Sequence, residues 1–209
     1  MTSENKIYFY PIWLRIWHGI NALGILILIF TGINMQFSSA KFEFMNFELA
    51  VNLHNISGIL ITVNYLLFFF GNMLTTNHKF YRIKLKGLLK RLNLQIGYYT
   101  SGLFKHEQPP FPLSEKRKFN PMQKVSYLVA MYFLVPGLII TGLALLFPEL
   151  IIEKVYSVSG IFMTAIFHAS MGFLVSIFLL VHLYVASIGK HPLKNYKSMI
   201  NGYHDLSGH

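Results

Sequence analysis

Apolar residues along this chain come in long unbroken runs, not at the intervals of a soluble strand or an amphipathic helix. Four windows, residues 16–40, 49–78, 125–148 and 155–189, contain no Asp, Glu, Lys or Arg. They are 25, 30, 24 and 35 residues long and hold 114 of the 209 residues. A helix crosses the hydrocarbon core of a bilayer in about 20 apolar residues, so each window is long enough for one crossing. The runs predict an all-α integral membrane protein, a four-helix transmembrane bundle with helices over about 13–34, 49–74, 121–146 and 160–188 in a single domain, 1–209. Continuous runs exclude the alternating ten-residue strands of a membrane β-barrel. The first run exceeds a signal-peptide core and is followed by no small-residue cleavage pattern, so it is expected to remain as helix one. Pro136-Gly137 predicts a kink within helix three, not its end. No internal repeat is evident.

The polar segments orient these helices. Lys41, Glu43 and Glu48 lie between the first two windows, and Glu149, Glu153 and Lys154 between the last two. The other 16 of the 18 Lys and Arg fall near the N-terminus, in the middle segment Lys79–Lys124, and in the tail from Lys190 to Lys197. That asymmetry predicts cytoplasmic N- and C-termini and a cytoplasmic loop over 79–120. Within the loop, KLKGLLKRLNL reads as a surface amphipathic helix and Gln108-Pro109-Pro110-Phe111-Pro112 as an extended connector. Trp13 and Trp17 fit an inner aromatic belt with Arg15 snorkelling beside them. The tail 190–209 is expected against the cytoplasmic surface or a partner. The net charge of +10 is thus explained by topology and contact with anionic membrane lipid, and no nucleic acid is implied.

Composition narrows the chemistry. Hydrophobic residues make up 54% and charged residues 12%, about half the roughly 25% charged content of a globular chain, which excludes a soluble enzyme. With no cysteine, the chain cannot itself hold an iron–sulfur cluster, a thiolate zinc site or a covalently attached c-type haem.

Nine histidines remain. His78, His106, His191, His204 and His209 fall in cytoplasmic segments and are expected to be solvated. His18, His54, His168 and His182 lie inside the helices, where an ionisable side chain is costly and marks function. His54 and His168 lie near the outer ends of helices two and four, His18 and His182 near the inner ends of one and four. His168 and His182 are 14 residues apart, about 21 Å along a helix and within about 40° of one face. Helix four can therefore present two imidazoles inward, one facing His54 and the other His18, as two b-type haems require. Gly58 and Gly172, four residues after His54 and His168, remove side chains one turn away. The competing structural reading is of core histidines satisfied by Ser, Thr or Asn. A proton or divalent-metal transporter is disfavoured because no window holds a carboxylate.

These residues resemble the four-helix dihaem cytochrome b family. It includes the membrane subunits of nickel–iron hydrogenases, of respiratory formate dehydrogenases (the gamma subunit) and of thiosulfate reductases. The resemblance is carried by Arg15-Ile16-Trp17-His18, His54, and His168 with His182. It is carried too by Phe119-Asn120-Pro121-Met122-Gln123-Lys124, by Pro136-Gly137 and by Thr141-Gly142. It implies two haem b groups, the outer on His54 and His168 and the inner on His18 and His182, with all four as axial ligands to iron. It also implies a quinone site (menaquinone or ubiquinone) beside the inner haem, to which Asn120, Gln123 and Lys124 are candidates. Pro121 and Met122 depart from the formate-dehydrogenase pattern there. Asn120 also reads as a simple N-cap with Pro121 in the first helical position. Arg15 is a candidate for a haem propionate, membrane anchoring being the other reading.

The implied function is electron transfer across a prokaryotic cytoplasmic (inner) membrane, between the quinone pool and a partner redox subunit of a respiratory oxidoreductase. Lacking cysteine, the chain would need that partner, an iron–sulfur or multihaem subunit facing the periplasm, for its terminal donor or acceptor. Quinone redox would be its own half-reaction. The alternatives are a stand-alone superoxide:quinone oxidoreductase of the same fold and, from a different class, a non-redox transporter or membrane anchor.

Overall fold

A computed structural model describes residues 6–39, 44–112, 114, 117–188 and 192–205. Four of its helices are long and apolar enough to cross a membrane: α1 Ile12–Phe37, α2 Phe47–Leu74, α4 Pro121–Leu146 and α5 Gly160–Ser187. The shorter elements are strand β1 (Lys6–Tyr8), helix α3 (Leu88–Gly97), strands β2 (Lys154–Val155) and β3 (Val158–Ser159), helix α6 (Lys194–Asn201) and strand β4 (Tyr203–Asp205). The helices match the four uncharged windows, with local extensions that have local causes. Helix α2 begins early because Asn46 caps it, its Oδ1 accepting from Leu49 N at 3.1 Å. Helix α1 runs on to Phe37 because Asn34 clamps its exit: Nδ2 donates to Met45 O and Oδ1 accepts from Met45 N, both at 3.1 Å.

The chain divides into two compact units, Ile16–Phe70 with Ala130–Leu180, and Met1–Arg15 with Gly71–Val129 and Val181–His209. The first holds the greater part of all four spans. Its packing inverts the soluble pattern. Thr31, Asn34, Ser57 and Asn64 are buried, while Phe30, Leu67, Phe133, Ile140, Phe173 and Leu180 are exposed. A bilayer explains this, since lipid solvates apolar side chains and helix contacts are built from small and polar ones. Asn64 Nδ2 donates to the backbone carbonyl of Trp17 at 3.1 Å, tying α2 to α1. Trp17 stacks on Phe68 with ring centres 4.4 Å apart. Leu134, Met171 and Val175 form an apolar cluster, with Ile25 and Leu138 packed on it.

Helix α4 continues through Pro136. It is α-helical to Val129, makes a π-helical turn over Ala130–Leu134, and is α-helical again from Val135. Proline has no N–H to donate and its ring crowds the preceding turn. The wider π turn falls on that turn and carries the helix past the proline.

In the second unit, α3 fulfils the amphipathic reading of the basic loop and leads into a π-helical turn, Tyr98–Gly102. The tail, anticipated against the membrane surface or a partner, pairs with the chain's own N-terminal segment. Strand β4 is antiparallel to β1, with Ile7 opposite His204 and Tyr8 opposite Tyr203. Phe9 N and Tyr10 N both donate to Gly202 O. His204, expected to be solvated, is instead buried, its Nδ1 3.0 Å from the Ser198 hydroxyl. The register of the ladder turns it inward. His191 and His209 lie outside the described residues.

Lys118 is the unexpected feature of this unit. It is 3% exposed, donates to Phe9 O at 3.0 Å, and lies 4.3 Å from the centre of the Tyr10 ring, with Phe80 and Phe119 at 5.4 and 5.6 Å. Burial lowers its ammonium pKa to about 8 and raises the Tyr10 phenol to about 12. Aromatic faces and one carbonyl solvate this cation.

Candidate functional site

The unit formed by Ile16–Phe70 and Ala130–Leu180 brings His54 on α2 and His168 on α5 together, ring centres 6.2 Å apart and ring planes inclined at 68°. Each Nδ1 has a threonine partner: Thr31 Oγ1 lies 2.9 Å from His54 and Thr141 Oγ1 2.8 Å from His168. A threonine hydroxyl has one proton to give. Thr31 Oγ1 is 2.7 Å from Ile27 O and Thr141 Oγ1 2.6 Å from Gly137 O, distances that need the proton in between. Each hydroxyl therefore accepts from its histidine, and Nδ1 carries the ring hydrogen. The Nε2 lone pair is left for another partner, and among the described residues no hydrogen bond occupies it.

A glycine lies against each ring, and at His168 the fit is too tight for a Cβ without movement. A Cβ at Gly32 would lie 3.5 Å from His54 Cε1, and one at Gly142 would lie 3.2 Å from His168 Cε1. Thr31-Gly32 on α1 thus serves His54 as Thr141-Gly142 on α4 serves His168. The glycines singled out from sequence, Gly58 and Gly172, face open space. Residues four apart on one helix do share a face, but the crowded side of each imidazole is against the facing helix.

The arrangement fits a bis-imidazole metal centre. Two metal–nitrogen bonds of about 2 Å, with about 1 Å from each nitrogen to its ring centre, give a separation of roughly 6 Å. Among the described residues no three His, Asp or Glu side chains cluster. Two opposed imidazoles suit a metal whose other ligands come from a macrocycle such as haem.

The remaining candidates are placed as follows. His18 lies on α1 beside Trp17, ring centres 6.4 Å apart, and belongs to the unit of His54 and His168. His182 belongs to the other unit, where its Nδ1 is 3.3 Å from Tyr127 Oη. Arg15 donates to Ile200 O in α6. Its Nε is buried with no acceptor among the described residues, a spare donor of the kind a carboxylate would take. Asn120 and Gln123 form a reciprocal cap at the start of α4: Asn120 Oδ1 accepts from Gln123 N at 2.8 Å, and Gln123 Oε1 accepts from Asn120 N at 3.1 Å. Asn120 Nδ2 donates to Tyr99 Oη at 2.9 Å. Burial holds the Tyr99 phenol above its ordinary pKa, and the bond from Asn120 offsets part of that. Lys124 Nζ donates to Arg82 O at 3.1 Å.

The family described as prokaryotic cytochrome b561 matches residues 9–202. A protein of Escherichia coli (strain K12) named "Putative cytochrome YdhU" is 34% identical over 199 residues, covering 95% of this chain and 75% of its own length. Four apolar spans, a facing histidine pair of the kind a b-type haem takes, and a match over nearly the whole length agree. The chain belongs to the prokaryotic cytochrome b561 family of multi-pass membrane b-type cytochromes, which bind haem b and transfer electrons.

Proposed function

We propose that this chain, as one module over 1–209, is a dihaem subunit that moves electrons across the membrane between a quinone pool and a partner redox subunit of a respiratory oxidoreductase. The observation that carries the reading is the His54–His168 pair, with both Nδ1 atoms engaged and both Nε2 lone pairs available. His54 and His168 would hold an outer haem, and His18 and His182 an inner one. Each haem, when bound, supplies one-electron Fe(III)/Fe(II) chemistry. The Arg15 guanidinium, steadied by Ile200, would receive a propionate. Asn120, Gln123 and Lys124, at the start of α4, would line the quinone pocket on the cytoplasmic side. The basic excess in the middle segment and tail supports that orientation. With no cysteine, the chain leaves the far end of the path to an iron–sulfur or multihaem partner on the periplasmic side.

The test is a haem count and a reduced-minus-oxidised spectrum of the purified wild-type chain, of His18→Ala and of His54→Ala. Wild type should bind two b-type haems and each variant about one. His18→Ala should lose electron exchange with quinone and keep exchange with a partner-side donor, and His54→Ala the reverse. A wild-type chain without a b-type band refutes the reading in favour of a transporter or anchor. A single haem in wild type refutes the dihaem assignment. Quinone reduction by superoxide without any partner would make the chain a stand-alone oxidoreductase.

A further inference from the structure

We propose that Thr31 and Thr141 are paired positioning residues that fix the tautomer and donor strength of His54 and His168, and so set the reduction potential of the haem those histidines share. The inference rests on the bis-imidazole reading of that pair and adds residues on the two facing helices. Both threonines are built alike. Each stands directly before a glycine that lies against the imidazole, and each hydroxyl donates its hydrogen bond to the carbonyl one turn back, Ile27 O or Gly137 O. A hydroxyl oxygen whose proton is already donated is a better acceptor, and it takes the Nδ1 hydrogen at 2.9 and 2.8 Å.

An acceptor on Nδ1–H pushes electron density onto Nε2 and raises ligand basicity. A more basic imidazole favours Fe(III) over Fe(II), so the threonines hold the potential down. Thr31 Oγ1 also lies 3.3 Å from Leu28 O and Thr141 Oγ1 3.3 Å from Leu138 O. The metal would be held at Nε2, on the other side of each ring from the threonine, so ligation should survive the loss of a hydroxyl and the effect should be read in the potential. The two threonines act on one iron from opposite sides. His182 has a different second partner, Tyr127, at the longer distance of 3.3 Å, so the other haem is not expected to respond.

The experiment is potentiometric titration of the b-type absorbance in the full chain, comparing wild type with Thr31→Val, Thr141→Val, Thr31→Ser and Thr141→Ser. Each valine variant should raise one of the two haem transitions and leave the other in place. Losing one net hydrogen bond should change the Fe(III):Fe(II) preference about three- to tenfold, read at about 59 mV per decade for one electron. The serine variants, which keep the hydroxyl, should return to the wild-type potential. Valine variants within twofold of wild type overturn the proposal. So do serine variants that shift as far as valine, because packing of the methyl group would then be the cause. If a valine variant loses haem and its serine counterpart keeps it, the hydroxyl role stands; if both lose it, the role falls. Absence of b-type haem from the wild-type chain overturns the proposed function itself, whereas two haems with unmoved potentials overturn only the threonine assignment.

Discussion

Replacing Asn120 separates a structural role from a quinone role at one position. Its side chain makes two strong contacts, Oδ1 with Gln123 N and Nδ2 with Tyr99 Oη. Asn120→Ala removes an N-cap, worth about 1 kcal/mol, and leaves Tyr99 without one partner, worth about another. The sum of about 2 kcal/mol lowers the melting temperature of a chain this size by roughly 4–8 °C. Asn120→Asp keeps the cap, since aspartate serves there as well as asparagine, and the Tyr99 hydroxyl can turn to donate to it. Its melting temperature should stay close to wild type. The assay is thermal loss of the haem Soret band in detergent, run beside the rate at which quinol reduces the haem. Aspartate puts a carboxylate where an amide donor stood, so a quinone that takes its hydrogen bond from Asn120 should lose exchange in this variant at full stability. An alanine variant as stable as wild type refutes the capping argument. An aspartate variant with wild-type quinol reduction refutes the quinone contact.

Lys118 predicts a pH dependence. Its pKa is lowered to about 8 from 10.5, so between those values the unfolded chain binds more protons than the folded one, and stability should rise with pH across that window. The burial penalty is present in full below pH 8 and is at most about 3 kcal/mol, reduced by the surrounding aromatic rings. The difference in melting temperature between wild type and Lys118→Met, measured at pH 7.5 and pH 10, isolates the lysine. If the difference does not change with pH, the lysine does not titrate in this window. The two site glycines should respond unequally. Gly142→Ala puts a Cβ 3.2 Å from His168 Cε1 and should lower haem content severalfold, while Gly32→Ala, at 3.5 Å from His54 Cε1, should stay near wild type. The opposite order in purified haem-to-protein ratio would refute this account of the site's packing.

The fold was legible because charge is so costly in hydrocarbon that its absence marks each span to within five residues at either end. Ends moved where a side chain captured backbone groups, as Asn46 and Asn34 do, and hydropathy carries no such information. The histidine positions were legible for the same reason as the charges. Their threonine partners were not, because Thr is common in apolar helices and back-bonds to its own carbonyls in most of them. The signal that could have found Thr31 is the repeat of Thr-Gly at 31–32 and 141–142, each ahead of a helix bearing one of the facing histidines. That repeat is two residues long and escapes any search for extended similarity. The buried His204 and Lys118 depend on pairing between β1 and β4, nearly 200 residues apart, and no local pattern announces such a contact. The π turn in α4 was foreseen only as a kink at Pro136.

That π turn bears on which changes of length the chain can accept. A residue added to or taken from a regular helix rotates everything beyond it by about 100°. Ala130–Leu134 holds one residue more than an α-helical turn would need, so the face carrying Thr141 and Gly142 is aimed by a count of residues. Deleting one of the five would let the turn relax to α and, because the extra residue is the one removed, leave that face aimed close to His168. Adding a further residue has no such slack and would swing the face by about 100°. In this helix the count of residues can fall by one but not rise.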